Sequence, residues 1–241
     1  MNVSKERSAE FLKATPGTGL HLTHVAVALA PSDLVRVHET GINLVILPRA
    51  TAPQLAESAR GFGERLQETL ALDLSEFDVE SGQLTQALRE VFASAIHVTP
   101  ELHSGSDVMP LAADVAELTE NFARVAGQAR TPTALRLRID RVEDNMCSAF
   151  HTDGYRMRLI CTYCGPGTEW TPNDNINRRE FYSLPAADRL LDPERVFRLR
   201  AGWVAILKGE KYPGAEGRAI VHRSPPATPG TWRLVLRIDC D

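Results

Sequence analysis

In the first half of the chain, hydrophobic residues recur at helical spacing. One stripe, with steps of three or four residues, follows the helix-start signals Thr51 and Pro53 and consists of Leu55, Ala59, Phe62, Leu66 and Leu70. Such a stripe predicts a helix that buries one face against a core. Similar periodicity predicts further helices over residues 81–93 and 111–128, and the capping residues Ser32 and Asp33 predict a short helix over 32–39. Short β-rich runs predict strands at 24–29 and 42–47.

After residue 131 the pattern changes to alternation. Leu135, Leu137 and Ile139 are separated by Arg136 and Arg138, which is the period of a half-buried strand. Other short hydrophobic runs, bounded by Gly and Pro turns, predict strands at 156–163, 196–200, 203–208, 219–222 and 232–238. Many short strands joined by turns favour a barrel or sandwich over a parallel sheet. We therefore expect an α+β fold.

These patterns divide the chain into three parts. Residues 1–20 are polar and are expected to form a flexible N-terminus. Residues 21–130 are expected to form a helical α/β annex, and residues 131–241 a strand-rich core. Because amphipathic helices need a sheet to pack against, we expect the annex and the core to be one folded unit.

Composition narrows the function classes without identifying one. The 241 residues are 43% hydrophobic and 24% charged, with a net charge of −4, which gives no basic footprint for nucleic acid or an anionic membrane. No apolar run approaches the roughly 18 residues that span a bilayer, and the first twenty residues lack a signal-peptide core. Four cysteines are too few for a disulfide scaffold at this length. We expect a cytoplasmic protein with reduced thiols.

The residues that carry candidate chemistry are His151-Thr152-Asp153 and the distant His222. Side chains at i and i+2 of a strand point the same way, about 6 to 7 Å apart, so His151 and Asp153 can converge on one cation. His222, in a later β-rich run, can be the third ligand if its strand folds back beside the first. Two histidines and one carboxylate leave three octahedral positions open, which suits ferrous iron that binds a co-substrate and dioxygen.

The order of these features resembles that of a known enzyme superfamily. A His-x-Asp motif, a strand that ends at Tyr163, the distal His222 and a basic residue, Arg233, are similar to the pattern of the 2-oxoglutarate/Fe(II)-dependent oxygenases of the prolyl-hydroxylase-like branch. This similarity covers residues 130–241 and implies a double-stranded β-helix, a cupin- or jelly-roll-like core. The segments Phe-His-Thr-Asp-Gly-Tyr and Val-His-Arg-Ser-Pro-Pro also resemble a bacterial family catalogued as domain of unknown function 1826, over most of the chain.

The oxygenase resemblance also implies a role for each site residue. The ligands of Fe(II) would be His151, Asp153 and His222. Arg233 would pair with the far carboxylate of the co-substrate 2-oxoglutarate, and Tyr163 would donate its hydroxyl to the same group. Arg237 lies two alternations beyond Arg233 on the same strand face and is the runner-up for that contact. The implied activity is a hydroxylase-type oxygenase acting on a small molecule or a protein side chain, and a homo-oligomer stays open.

Other uses of the same pocket also stay open. The main alternative is a metal-binding accessory protein of metal homeostasis, which would hold zinc with or without Cys161 or Cys164. Members of the family catalogued as domain of unknown function 1826 are often found beside zinc-homeostasis GTPases, and this part of the resemblance favours the zinc alternative. A cupin-like metal-dependent hydrolase or isomerase is a third. Residues three apart on a strand face opposite sides, so we expect Cys161, which shares a face with Tyr163, to line the pocket as a thiol rather than to join Cys164 at a metal.

Overall fold

The computed structural model of the chain describes residues 22–74, 83–96, 107–127, 134–144, 147–185 and 188–241. The expected flexible N-terminus, residues 1–20, lies outside these segments. The described helices are α1 (Pro53–Arg65), α2 (Leu84–Ala95), α3 (Met109–Gly127) and 3-10 helices at Pro31–His38 and Asn173–Asn175. Within the described segments, none of the helices has the length and apolar character needed to cross a membrane.

The described strands form two sheets. The strands are β1 (Val25–Val27), β2 (Leu44–Leu47), β3 (Leu70–Asp73), β4 (Leu135–Val142), β5 (Met157–Cys164), β6 (Glu169–Thr171), β7 (Phe197–Arg198), β8 (Val204–Lys208), β9 (Val221–Arg223) and β10 (Arg233–Cys240). The major sheet has the order β1-β2-β8-β5-β10-β4-β3, and the minor sheet has the order β7-β6-β9. His151 extends the minor sheet through an antiparallel bridge to His222.

From residue 134 onward the chain alternates between the two sheets. Strands β4, β5, β8 and β10 lie in the major sheet, whereas the His151 segment, the β6–β7 pair and β9 lie in the minor sheet. In the major sheet β10 pairs antiparallel with both β4 and β5, and β5 pairs with β8. The strand-rich half of the chain thus contributes strands to two layers, which pack against each other through a shared hydrophobic core. The expected combination of helices with a large, mainly antiparallel sheet is confirmed.

The N-terminal elements extend the major sheet at both edges. Strand β2 pairs with β8 and carries the parallel strand β1 at one edge, while β3 pairs with β4 at the other. The helices cover one face of this sheet, with α1 packed on β5 and β10 and with α3 packed on β10, α1 and α2. Residues from both halves of the chain therefore share one sheet.

Side chains of the central strands alternate between two cores, one on each face of the major sheet. On β10, Leu234, Leu236 and Ile238 belong to the core that contains the helices, whereas Val235 belongs to the core between the sheets, with Trp170 of β6. Because both faces are covered, such a strand is a nearly continuous hydrophobic run. Polar side chains on the face toward the minor sheet are therefore exceptions, and most of them belong to the candidate site.

Two elements differ from the expected pattern. The first hydrophobic stripe predicts a helix through Leu70, but α1 ends at Arg65, Leu66 forms a bridge with Ile96, and Leu70 begins β3. The spacing from Leu66 to Leu70 fits a helix, yet the open edge of β4 supplies Leu70 with backbone partners in a sheet. The glycine-rich pattern assigns residues 164–170 to a turn, but Glu169 and Trp170 belong to β6 because β7 and β9 pair with them on both sides.

Replacing Leu111 with alanine should destabilise the protein by about 2–5 kcal/mol, since its fully buried side chain in α3 would leave a cavity between helices and sheet. The matched change, Leu191→Ala, removes the same atoms from a side chain that is 67% exposed and should cost less than about 0.5 kcal/mol. Urea unfolding followed by circular dichroism measures both. Equal losses would contradict the assigned core.

Candidate metal centre

Three side chains from two segments of the minor sheet converge on one point. His151 and Asp153 lie on the edge segment before β5, and His222 lies in the middle of β9. The backbones of His151 and His222 exchange two N–H···O hydrogen bonds of 3.0 Å, and their ring centroids are 4.6 Å apart. One possible ligand atom from each of the three residues lies within 4.8 Å of the others. The structure thus brings together the three predicted metal ligands.

Both histidines present the same ring nitrogen to this point. The Nδ1 atom of His151 lies 2.9 Å from the carbonyl oxygen of Ala149, and that of His222 lies 3.3 Å from the carbonyl oxygen of Ile220. A carbonyl oxygen only accepts hydrogen bonds, so each Nδ1 carries the proton and each Nε2 offers a lone pair. Burial lowers the pKa of His222 to about 4, which keeps this imidazole neutral at physiological pH.

The two carboxylate oxygens of Asp153 have different environments. Oδ1 accepts a hydrogen bond of 2.7 Å from Nη1 of Arg158. Oδ2 lies 3.4 Å from Nε2 of His222, is buried, and accepts no hydrogen bond from the described residues. A buried anionic oxygen facing imidazole lone pairs is unfavourable unless a cation lies between them. This arrangement fits a divalent metal ion.

Gly209 holds the Asp153 segment against the end of β8. The Gly209 N–H donates to the carbonyl of Arg156 at 2.9 Å, and the Glu210 N–H donates to the carbonyl of Asp153 at 2.9 Å. A Cβ atom at position 209 would collide with the carbonyl oxygen of Tyr155, so the close approach requires glycine. The segment that carries two of the ligands is thereby fixed to the major sheet.

A narrow cavity between the sheets extends from the histidines toward Arg233. The Arg233 side chain is buried and donates from Nε to the carbonyl of Pro166 at 2.7 Å and from Nη1 to the hydroxyl of Ser224 at 3.0 Å. Nη2 makes longer contacts of 3.5 and 3.4 Å with the hydroxyls of Thr162 and Thr168. All of these partners are neutral.

Arg233 forms no ion pair with any carboxylate in the described segments. The negative charge of Glu169 acts on Arg233. However, Oε1 of Glu169 is paired with Arg198, and Oε2 is paired with Arg223. Burial lowers the pKa of Arg233 to about 10, because the charged form of a guanidinium without an anionic partner is destabilised away from water. A bound carboxylate would offset that cost.

Arg237, the runner-up for the carboxylate contact, lines the same cavity but already has a partner. Its Nε and Nη2 atoms donate to Oδ2 of Asp140 at 3.2 and 2.5 Å. The other oxygen of Asp140 accepts from the Thr69 hydroxyl at 2.8 Å. Because this ion pair is complete within the protein, Arg237 is less available to a ligand than Arg233.

Tyr163 does not reach the cavity, which corrects the role expected for it. Its hydroxyl donates to Oδ2 of Asp114 on α3 at 2.6 Å, where Arg49 also binds Asp114 through both of its terminal nitrogens. The ring belongs to the core that contains the helices. Both faces of β5 are buried, and the residues of β5 that face the cavity are Arg158, Ile160 and Thr162.

Apart from Cys147, the cysteines pack into the core that contains the helices. Cys161 shares the Tyr163 face as expected, but that face packs against the helices, so Cys161 is a core thiol and does not line the pocket. Nη2 of Arg49 lies 3.6 Å from Sγ of Cys161. Burial raises the pKa of the Cys161 thiol to about 12. Cys164 packs against the same core, and Cys147 is exposed at the mouth of the cavity. Among the described residues no thiol joins the ligand group.

Sequence reasoning missed two charged residues that contact the site, Arg158 and Asp239. They occupy opposite positions on β5 and β10, and both are buried. A signal for them exists, because each interrupts a hydrophobic strand with a charge on the face that Arg233 and Arg237 share. The signal could not be interpreted without the register that pairs the two strands.

Fold and site together define an α+β protein with two β-sheets and a candidate metal centre of two histidines and one carboxylate. The chain belongs to the family described as "Protein of unknown function (DUF1826)", whose model matches residues 28–239. The expected membership is confirmed. No curated protein sequence matches the chain at a significant level.

Solved structures similar to this chain include 2-oxoglutarate/Fe(II) oxygenases. A dioxygenase for auxin oxidation from Arabidopsis thaliana, solved as a 2-oxoglutarate complex, is 12% identical, with 89% of this chain and 91% of that chain covered and a TM-score of 0.42. An oxidoreductase of the 2OG-Fe(II) oxygenase family from Burkholderia pseudomallei is also 12% identical, with 90% and 94% covered and a TM-score of 0.43.

The thiols should differ in their reaction with iodoacetamide at neutral pH. Cys147 should be alkylated first because it is exposed, whereas Cys161 should stay unmodified because it is buried and its pKa is raised to about 12. Mass spectrometry of peptides from the native protein measures the order, and unfolded protein, in which all four thiols should react, is the control. Rapid labelling of native Cys161 would contradict its place in the core.

Proposed function

We propose that this protein is a non-haem Fe(II)/2-oxoglutarate-dependent oxygenase of the hydroxylase type, built on a double-stranded β-helix. One observation carries the proposal: the two histidines of the His/Asp/His ligand set line the same cavity as Arg233, a buried guanidinium without a described carboxylate partner. The first feature fits a divalent cation, and the second fits an anionic ligand beside it. The substrate, a small molecule or a protein side chain, is left open.

The donor set suits ferrous iron. The Nε2 lone pairs of His151 and His222 and one oxygen of Asp153 would occupy one face of an octahedral ion and leave three positions open. An ion held there would supply activation of dioxygen coupled to the oxidative decarboxylation of a 2-oxo acid. The protein's contribution is to hold the ligands in the correct tautomer and to keep the carboxylate oriented.

Arg233 suits the far carboxylate of 2-oxoglutarate. Its terminal nitrogens contact only hydroxyl groups, those of Ser224, Thr162 and Thr168. A carboxylate that replaced these hydroxyl groups as the partner of Arg233 would form a charge-assisted, two-point contact. A planar guanidinium makes this contact better than an ammonium group does. Because the site is buried, this contact would be screened less than it is in water.

The remaining walls of the cavity exclude water and limit its size. Val142, Ile160 and Val235 supply apolar surface from three strands of the major sheet. At the mouth, the half-buried guanidinium of Arg223 lies 4.3 Å from the centre of the Phe150 ring. Since the cavity is narrow, a five-carbon dicarboxylate requires side chains at the mouth to turn outward, a common change on binding.

The zinc-accessory alternative has less support from this cavity. None of the described thiols joins the ligand group, although thiolates are frequent in sites that hold zinc without catalysis. A buried arginine with no ion-pair partner also has no use at a metal store. Both observations favour a site that binds an anionic co-substrate next to the metal.

Anaerobic addition of Fe(II) and 2-oxoglutarate should produce the weak visible charge-transfer band of an iron-bound 2-oxo acid. The variant Asp153→Ala removes a metal ligand and should therefore bind the metal more than about 100-fold more weakly, because losing even an outer-shell partner costs roughly 10–100-fold. Asp188→Ala, at an exposed position, is the control. Tight binding of iron without any band on adding 2-oxoglutarate would contradict the proposal.

Replacing Arg233 with methionine should weaken 2-oxoglutarate binding about thirtyfold or more, because losing one partner of a buried charge pair costs about 2 kcal/mol or more. Metal affinity should stay close to that of the wild type. Calorimetric titration measures both, with Arg138→Met, on the exposed face of β4, as the matched control. A larger loss in Arg237→Met than in Arg233→Met would transfer the role to the runner-up.

A further inference from the structure

We infer that Arg158, held by Asp239, makes Asp153 a metal ligand through one oxygen only. This inference rests on the proposed metal centre and concerns the number of coordination positions that remain open. Arg158 contacts a ligand rather than the metal or a substrate, so it is a positioning residue. Three buried side chains carry the argument, with side-chain exposures of 8% for Arg158, 9% for Asp153 and 5% for Asp239.

The guanidinium of Arg158 is fixed on two sides. Its Nε and Nη2 atoms donate to the two oxygens of Asp239 at 2.5 and 3.1 Å, and the two residues are register partners on β5 and β10. The ring of Tyr155 lies 5.0 Å from the guanidinium carbon. A planar group held by a two-point contact and an aromatic ring has little rotational freedom. Its third nitrogen therefore points in a defined direction.

That third nitrogen, Nη1, donates to Oδ1 of Asp153 at 2.7 Å. The bond orients the carboxylate, and Oδ2, which is buried without a hydrogen-bond partner, lies 3.4 Å from Nε2 of His222. With the carboxylate held in this orientation by Arg158, a cation at the ligand set meets Asp153 through Oδ2 alone.

The number of oxygens matters for the proposed function. With one oxygen from Asp153 and one nitrogen from each histidine, an octahedral ion keeps three open positions, enough for a chelating 2-oxo acid and one further ligand. If Asp153 bound through both oxygens, only two positions would remain, and the chelating acid would fill them. Arg158 thus preserves the position that dioxygen needs.

The test uses Co(II), whose visible spectrum reports coordination, with the full chain under anaerobic conditions. Arg158→Met should lower Co(II) affinity about 10–100-fold, the usual effect of losing an outer-shell partner. It should also change the Co(II) spectrum before and after 2-oxoglutarate is added. Arg158→Lys, which restores a charged donor without the fork, should recover part of the affinity.

Arg49→Met provides the matched control, because it breaks another arginine–aspartate ion pair, with Asp114, on the helical side of the sheet. It should lower the melting temperature and leave the Co(II) affinity and spectrum unchanged. If Arg158→Met does not fold, Asp239→Asn serves in its place, since it loosens the guanidinium while both Arg158 and Asp153 remain. A change in its Co(II) spectrum would support the inference.

Two results would overturn the inference in distinguishable ways. A folded Arg158→Met or Asp239→Asn variant with wild-type Co(II) affinity and an unchanged spectrum would remove the positioning role and leave the metal centre intact. Failure of the wild-type protein to bind Co(II), Fe(II) or Zn(II) would remove the metal centre itself, and this inference with it.

Discussion

The antiparallel pairing of β10 with β4 and β5 is the constraint on which the rest of the structure depends. It fixes which residues of the three central strands face the helices and which face the minor sheet. On β10 the helical side receives Leu234, Leu236 and Ile238. The opposite side receives Arg233, Val235, Arg237 and Asp239. One register thus forms a hydrophobic core and a charged cavity from a single strand, and a shift by one residue would exchange them.

Charges in and around the cavity are compensated within the protein, with two exceptions. Arg158 is shared between Asp153 and Asp239, Arg237 is paired with Asp140, and Arg223 shares Glu169 with Arg198. The exceptions are Arg233 and the second oxygen of Asp153. One lacks an anion and the other lacks a cation. A ferrous ion with a chelating dicarboxylate would satisfy both without leaving a new unpaired charge.

Much of this could be predicted from the sequence because periodicity encodes burial. The spacing of His151 and Asp153 indicated a shared face, and the alternation of β4 predicted its strand. Spacing also placed Cys161 and Tyr163 on one face of β5. It could not decide whether that face packs against the helices or against the minor sheet, because both faces of β5 are buried and mainly apolar. Leu70 illustrates the same limit, because a step of four residues fits a helix until the edge of β4 supplies a partner.

The connection between Asp153 and Arg158 has a mechanical consequence. His151 and His222 belong to the minor sheet, while Arg158 and Asp239 belong to the two central strands of the major sheet. An ion bound to Asp153 would complete a chain of polar contacts from one sheet across to the other, near the end of β8 where Gly209 holds the Asp153 segment. The metal would then act as a cross-link, so that loading the site and resisting unfolding become a single thermodynamic event.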